Sequence, residues 1–162
     1  TSFRKSLIHG FVHDPAAAMM GGVAGNAGLF SDAYSLAVIM QMLINGGEYG
    51  GKRFLKKENI QHFTFRHDLD GDNRRGLFFD KPELNKLKNG PTAVSASPST
   101  FGHTGFTGTC AWAAPENELV YIFLSNRVHP DADNNKLALG NYRTDIMEAV
   151  YQIIKNNKSA AK

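Results

Sequence analysis

The sequence predicts an α+β fold in which antiparallel strands pack with an upstream helix and a C-terminal helix. Two apolar runs, TCAWAAP and ELVYIFLSN, are joined at PENE, which is the pattern of a β-hairpin. Apolar residues recur at helical spacing in segments 31–46 and 141–157, on either side of that hairpin. The predicted strands and helices do not alternate regularly, so a parallel sheet is not expected. We therefore expect one domain over residues 1–162, a length sufficient to bury a core.

The upstream part begins with a glycine- and alanine-rich stretch and continues into the first predicted helix. Residues 1–30 are expected to form a compact loop packed against other elements. We predict Ser31 as the N-cap of the helix, with Asp32 in its first turn and Gly46 at its end. The residues expected on its apolar stripe are Leu36, Ile39, Met40, Leu43 and Ile44.

The remaining elements follow in order. KRFLKKENIQHF predicts a short strand or turn followed by a brief helix, and RGLFFD predicts a short strand at residues 75–80. Residues 81–100, rich in Pro, Ser and Lys, are expected to be an irregular connection. Beyond the hairpin, the C-terminal helix is predicted to turn Ile146, Val150 and either Ile153 or Ile154 toward the core.

Composition and charge exclude several classes of function. The formal net charge is +3, and the lysines are scattered rather than clustered with aromatic residues, which argues against a nucleic-acid surface. No window is long enough for a membrane-spanning helix, and the first residues lack the pattern of a signal peptide. The single Cys110 excludes an internal disulfide and a cysteine zinc site, and its strand-like surroundings favour a small buried thiol.

Three short motifs resemble functional signatures but fail on their context. GGVAGNAG lacks the Lys-Ser/Thr pair and the preceding strand of a phosphate-binding loop, so a tight loop is expected. DLDGDN lacks the glycine position and the glutamate of an EF-hand, which favours a surface turn. SFRK at residues 2–5 has the Ser-x-x-Lys spacing of serine acyl-enzymes, but it runs into Gly and Pro instead of a long apolar helix. None of the six histidines forms the His-Glu-x-x-His spacing, so no metal and no cofactor are predicted.

Two histidines have neighbours that suit a functional role. His103, Thr104 and Gly105 present a side-chain donor, a hydroxyl and an unobstructed backbone N–H in a row, which would suit a carboxylate or an oxyanion. The alternative is a strand entry whose side chains satisfy loop carbonyls, and the residues alone favour neither. His13 is either an imidazole oriented by Asp14 or the neighbour of a cap or turn that Asp14 forms.

The segment GHTGFTGTCAWAAPENELVYIFLSNRVHP contains several motifs in one order. His-Thr-Gly is followed by a glycine turn, a hairpin with Pro-Glu at its tip, a strand ending in Asn and a terminal helix. This ordered set resembles the closing segment of the serine β-lactamase and penicillin-binding-protein superfamily, in its class C-like hydrolase and esterase branch. Upstream, AGLFSDAYSLA is similar to a helix-entry region of the same superfamily. The resemblance covers most of residues 9–155 and implies a partial β-lactamase-like fold.

The resemblance implies roles for individual residues. His103 takes the place of the triad lysine as a substrate-anion or transition-state group, and Thr104 would hydrogen-bond the substrate. Gly105 completes the triad, and the backbone N–H of Phe106 would supply half of an oxyanion hole. Further substrate-binding candidates are Thr107, Asn126, Arg127, His129 and His13.

The resemblance also implies that the chemistry is shared with residues outside this sequence. The sequence contains no Tyr-x-Asn motif, and SFRK lies too close to His103 to be the family's nucleophile. We therefore expect the C-terminal part of a larger hydrolase domain, inactive alone. Its exposed apolar surface would be covered by the rest of that domain or by a second copy in a homo-oligomer.

The wording VHDP and GHTGFTGT is also similar to domains fused to bacterial family 3 glycoside hydrolases of the β-N-acetylhexosaminidase type. This similarity implies a cell-envelope parent, periplasmic or extracellular, with a small-molecule or cell-wall-derived substrate. The alternative to the serine acyl hydrolase is a non-catalytic module that binds glycan or peptidoglycan.

Overall fold

The computed structural model describes residues 4–160 as helices packed on an antiparallel sheet. The elements in chain order are α1 (Pro15–Met19), α2 (Ala33–Ile44), β1 (Glu48–Tyr49), β2 (Lys52–Arg53), α3 (Lys57–Thr64), β3 (Phe101–Thr104), β4 (Cys110–Ala114), β5 (Leu119–Phe123), α4 (Lys136–Leu139) and α5 (Tyr142–Ala160). A 3-10 turn, Pro115–Asn117, joins β4 to β5. The α+β fold and the hairpin at PENE are therefore confirmed.

The central sheet has three antiparallel strands in the order β3-β4-β5, and β1 and β2 form a separate hairpin. In the sheet, His103 of β3 lies opposite Ala111 of β4. On the outer side of β3, Asp80 forms an isolated antiparallel bridge with Gly102. This register places His103 near the end of a strand whose outer edge has only one paired residue in the described part of the chain.

Each face of the sheet carries its own buried cluster. On the face covered by α5, the buried residues are Ala93, Ala96, Cys110, Trp112, Ala114, Tyr121, Met147 and Tyr151. On the face covered by α2, they are Met40, Leu43, Ile60, Phe101 and Ala113. Because side chains alternate along a strand, His103 shares the α2 face with Phe101.

The Trp112 side chain of β4 packs against the neighbouring strand β3 at Gly102. The Trp112 side chain is 1% exposed. A methyl group added at Gly102 would strike the Ala111 carbonyl and the Trp112 ring, so only glycine fits at that position. Cys110 is buried, as predicted, and this burial raises the pKa of its thiol.

Helix α2 begins one residue later than the sequence predicted. Asp32, not Ser31, is the N-cap, because its carboxylate accepts hydrogen bonds at 2.9 Å from both the N–H and the hydroxyl of Ser35. Gly46 follows the C-cap with a φ of 69°, as a helix end of this kind requires. Within the predicted stripe, Ile39 is wrongly placed, since it is 47% exposed.

Helix α5 turns a partly different face to the core from the one predicted, although Val150 is half-buried as expected. Met147 and Tyr151 are buried, whereas Ile146 and Ile153 are exposed. Of the two alternatives at the end of the stripe, Ile154 is the half-buried one. The helix carries apolar residues on more than one side, and Met147 is the one that joins the buried cluster formed with Trp112 of β4 and with Ala93 and Ala96 of the irregular segment.

Two further expectations are corrected. Residues 1–30 were expected to be loop only, but Pro15–Met19 form one helical turn because the Asp14 carboxylate accepts the Ala17 N–H at 2.8 Å. RGLFFD does not form a strand, since Asp80 alone bridges to β3.

Residues 81–100 contain no helix or strand. Among residues 4–160, no helix has the length and apolar character needed to cross a membrane.

Candidate active site

His103 stands on the α2 face of β3 with its side chain exposed to solvent. Its Nδ1 lies 2.7 Å from the Thr104 carbonyl oxygen, and its Nε2 lies 3.5 Å from Nη1 of Arg75. A carbonyl oxygen can only accept, so Nδ1 carries the proton in this contact and Nε2 is the acceptor toward the guanidinium. His103 is thus oriented by its own strand and faces a cation.

Arg75 and Asp80 were missed in the sequence, and they complete the surroundings of His103. Nη2 of Arg75 lies 3.6 Å from Oδ2 of Asp80, whose side chain is 3% exposed. Arg74 binds the same carboxylate through Nε, at 2.9 Å from Oδ1. The carboxylate therefore holds two arginines, one of which reaches His103. The only sequence signal was the Arg-Arg pair in DNRRG, shortly before the aspartate that ends RGLFFD.

The turn that follows β3 requires its glycines. Gly105 donates to the Thr109 carbonyl at 2.8 Å and accepts from the N–H of Gly108 at 3.0 Å. A methyl group at Gly105 would overlap Oγ1 of Thr109, and Gly108 has a φ of 112°. Within residues 4–160, no group accepts the Phe106 N–H. The turn therefore presents a free backbone donor next to His103 and Thr104.

Two of the predicted substrate-binding residues, His13 and Arg127, contact the Phe106 ring in this turn. His13 stacks on the ring with a centroid distance of 5.4 Å, and the guanidinium carbon of Arg127 lies 4.4 Å from its centroid. Arg127 also donates to the Phe106 carbonyl at 2.7 Å and to the carbonyls of Ala132 and Asn134 at 3.1 and 3.0 Å. Through these contacts, Arg127 holds the turn in place.

His13 keeps one unexplained polar atom. Its Nε2 is buried and has no hydrogen-bond partner in residues 4–160. The neighbouring Asp14 is the N-cap of α1, so the cap alternative considered for this pair is present. Asn26 donates to the same carboxylate at 3.2 Å, and together with the Ala17 N–H it lowers the pKa of Asp14.

The other predicted site residues lie along the same turn or beyond β5. The Thr104 side chain is half-buried and, by strand alternation, leaves β3 on the opposite face from His103. The Thr107 carbonyl accepts the Arg127 N–H at 2.9 Å. Asn126 and His129 are exposed, and in the described chain no hydrogen bond or ring contact joins either to His103.

Within residues 4–160, the weaker motifs show no site. Ser2 of SFRK lies outside the described residues. In GGVAGNAG, a methyl group at Gly28 would strike the Gly22 carbonyl, which is the close approach expected of a tight loop. Over residues 4–160, no group of His, Cys, Asp or Glu side chains has the arrangement of a metal site.

The fold and this strand define the class of protein. Helices on both faces of an antiparallel sheet, with His-Thr-Gly at the end of an edge strand, make up a partial β-lactamase-like fold. Residues 6–142 match the family described as Beta-lactamase, and the chain belongs to that family. It is therefore a serine hydrolase-like domain.

Curated relatives give a further comparison. The chain is 38% identical over 137 residues to the protein named "Putative D-alanyl-D-alanine carboxypeptidase" of Salmonella gallinarum, and equally to the protein of that name in Salmonella typhi. The match covers 84% of this chain and 31% of each relative. The chain thus spans about a third of the length of the relatives that it matches.

Proposed function

We propose that this chain supplies the substrate-side wall of a serine acyl hydrolase that acts on peptides ending in a free carboxylate. The observation that carries the proposal is the row formed by His103, Arg75 and the unpaired Phe106 N–H at one end of β3. The Arg75 guanidinium, which faces Nε2 of His103, suits the substrate carboxylate, and a free N–H suits the oxyanion that develops during acyl transfer. The name of the relatives, a D-alanyl-D-alanine carboxypeptidase, favours a cell-wall peptide as substrate.

The outer edge of β3 supports an extended substrate. Gly102 exchanges both backbone hydrogen bonds with Asp80, at 2.8 and 3.1 Å. Thr104 lies two residues further along, and period-two alternation directs its backbone groups to the same edge. In residues 4–160 no strand pairs there, so a peptide can add to it. A contact between the Thr104 hydroxyl and the substrate stays a prediction, as do the roles of Asn126 and His129.

The nucleophile is proposed to lie outside the described residues. Between residues 4 and 160, no serine hydroxyl is hydrogen-bonded to the side chain of a lysine or a histidine, the bases that activate serine in such enzymes. The serine would attack the substrate carbonyl, the Phe106 N–H would stabilise the oxyanion, and Arg75 would hold the terminal carboxylate beside His103. The periplasmic or extracellular location and the link to a glycoside hydrolase stay predictions.

The test uses the intact protein that contains this chain. A penicillin probe should form an adduct with one serine, which mass spectrometry should map outside residues 4–160. Release of D-alanine from a peptide ending in D-alanyl-D-alanine measures the hydrolysis. If hydrolysis persists while no serine adduct forms, the serine acyl hydrolase is refuted. Saturable peptidoglycan binding without any hydrolysis would favour the non-catalytic module instead.

Matched arginine variants separate substrate binding from general surface effects. Arg75 and Arg53 have side chains that are both 52% exposed, and both pair with a carboxylate. Arg75→Gln should raise KM by about tenfold to a hundredfold, since a charge-assisted hydrogen bond contributes roughly 1.5–3 kcal/mol. Arg53→Gln should leave KM unchanged. Equal effects of the two substitutions would remove Arg75 from the site.

A further inference from the structure

A cavity of about 750 Å³ lies at the start of β3, away from the turn that carries Phe106. Its walls come from the end of α2, from α3 and from the segments around residues 65–69, 81–86 and 98–101. Residues 103–107 are not part of its lining. The walls are mainly apolar, with contributions from Leu43, Ile44, Ile60, Leu69, Leu84 and Phe101.

The charged side chains that line this cavity are mostly cationic. Five cations line it, namely Lys57, Arg66, Arg74, Lys81 and Lys86, and one carboxylate, that of Glu83. Glu83 lies 3.8 Å from Arg74, which is also paired with Asp80. In residues 4–160 the other four cations have no carboxylate within 4.0 Å. An apolar cavity with unpaired positive charge is complementary to an anion that carries an apolar body.

Lys81 is the cation that is buried, with an exposure of 8%. Its Nζ donates one hydrogen bond, to the Thr100 carbonyl at 3.2 Å. An ammonium group has three N–H donors, so two of them have no acceptor in the described part of the chain. Burial of this amine lowers its pKa. A buried cation needs a compensating charge, and one carboxylate balances one ammonium.

We propose that this cavity is a binding site for an amphiphilic carboxylate, a linear fatty acid, with its head group on Lys81 and its alkyl chain along the apolar wall. The volume lies within the range of small-molecule sites, roughly 300–1,000 Å³. The single buried ammonium selects a singly charged head group. Since the residues differ from those of the proposed hydrolytic site, fatty-acid binding and peptide hydrolysis can be tested separately.

The test is a calorimetric titration of octanoate into the intact protein, below the concentration at which octanoate forms micelles. Octanoate should bind saturably at one site, 1-octanol should bind at least about tenfold more weakly because it lacks the charge, and acetate should not bind because it lacks the chain. Lys81→Met keeps the length of the side chain and should weaken octanoate binding at least about tenfold. Lys136→Met, on exposed α4, is the matched control and should bind normally.

A second pair of variants keeps the test independent of the folding of Lys81→Met. Leu69 lines the cavity and is 64% exposed, whereas Leu87 is 97% exposed and lies outside the lining. Leu69→Glu places a like charge beside the ligand and should weaken binding, and Leu87→Glu should not. Absence of saturable octanoate binding, equal affinities for octanoate and 1-octanol, or unchanged affinity in Lys81→Met and Leu69→Glu would overturn the proposal.

Discussion

The substitution Gly105→Ala tests how the turn after β3 is built. The added methyl group would overlap Oγ1 of Thr109, while the other nearby atoms of Thr109 lie 3.7 Å away, at ordinary contact distance. The φ of Gly105 is not in the left-handed region, so the cost comes from one contact and not from the backbone. Overpacking of this kind costs about 1–3 kcal/mol, which is the expected loss in the free energy of unfolding.

A double-mutant cycle isolates that contact. Thr109→Ala removes Oγ1, which makes no hydrogen bond in residues 4–160, so this change alone should cost less than about 1 kcal/mol. In the Thr109→Ala background, Gly105→Ala should cost about 1–2 kcal/mol less than in the wild type. Thr109→Val keeps the shape of threonine and should give no rescue. Urea unfolding of the intact protein, followed by circular dichroism, measures all of these variants. Additivity within about 0.5 kcal/mol would refute the argument.

Three further predictions concern the sheet and α5. Met147→Ala should lower the free energy of unfolding by about 2–5 kcal/mol, and Ile146→Ala should lower it by less than about 1 kcal/mol. The reverse order of the urea midpoints would support the helix face inferred from sequence. Burial raises the pKa of Tyr121 to about 12, against about 10 for an unfolded tyrosine, so stability should fall as the pH rises from 10 to 12. In Tyr121→Phe this fall should be smaller, since Tyr151, whose pKa is also raised by burial, remains; measuring the unfolding midpoint against pH checks this. Cys110 should react with Ellman's reagent only after unfolding, and rapid labelling of the native protein would show that this thiol is not enclosed.

The hairpin could be predicted because its information is local. Two apolar runs and the PENE tip lie within a few residues of one another, and the pairing of β4 with β5 follows from them. The turn at Gly105 and Gly108 is likewise encoded in adjacent residues. His103 was singled out for the residues that follow it; it lies exposed near the end of β3, and its role in a site stays a prediction.

The features that the sequence did not reveal depend on contacts between distant segments. Arg75 meets His103 across 28 positions, and nothing in DNRRG points to a strand that begins at Phe101. In α5, several apolar residues could face inward, and the choice of Met147 over Ile146 is made by the shape of the sheet surface. Arg127 was predicted at the cleft, but its hydrogen bonds to three loop carbonyls become visible only in three dimensions.

The packing of Trp112 against Gly102 makes its indole an intrinsic fluorescence probe of β3. Trp112 is the only tryptophan in this sequence, and its indole touches the backbone of the residue that precedes His103. An indole so shielded from water emits at short wavelength, and its emission responds to small displacements of its surroundings. A ligand that adds to the edge of β3 should therefore change the fluorescence of this indole, which allows binding to be followed without a label and without turnover.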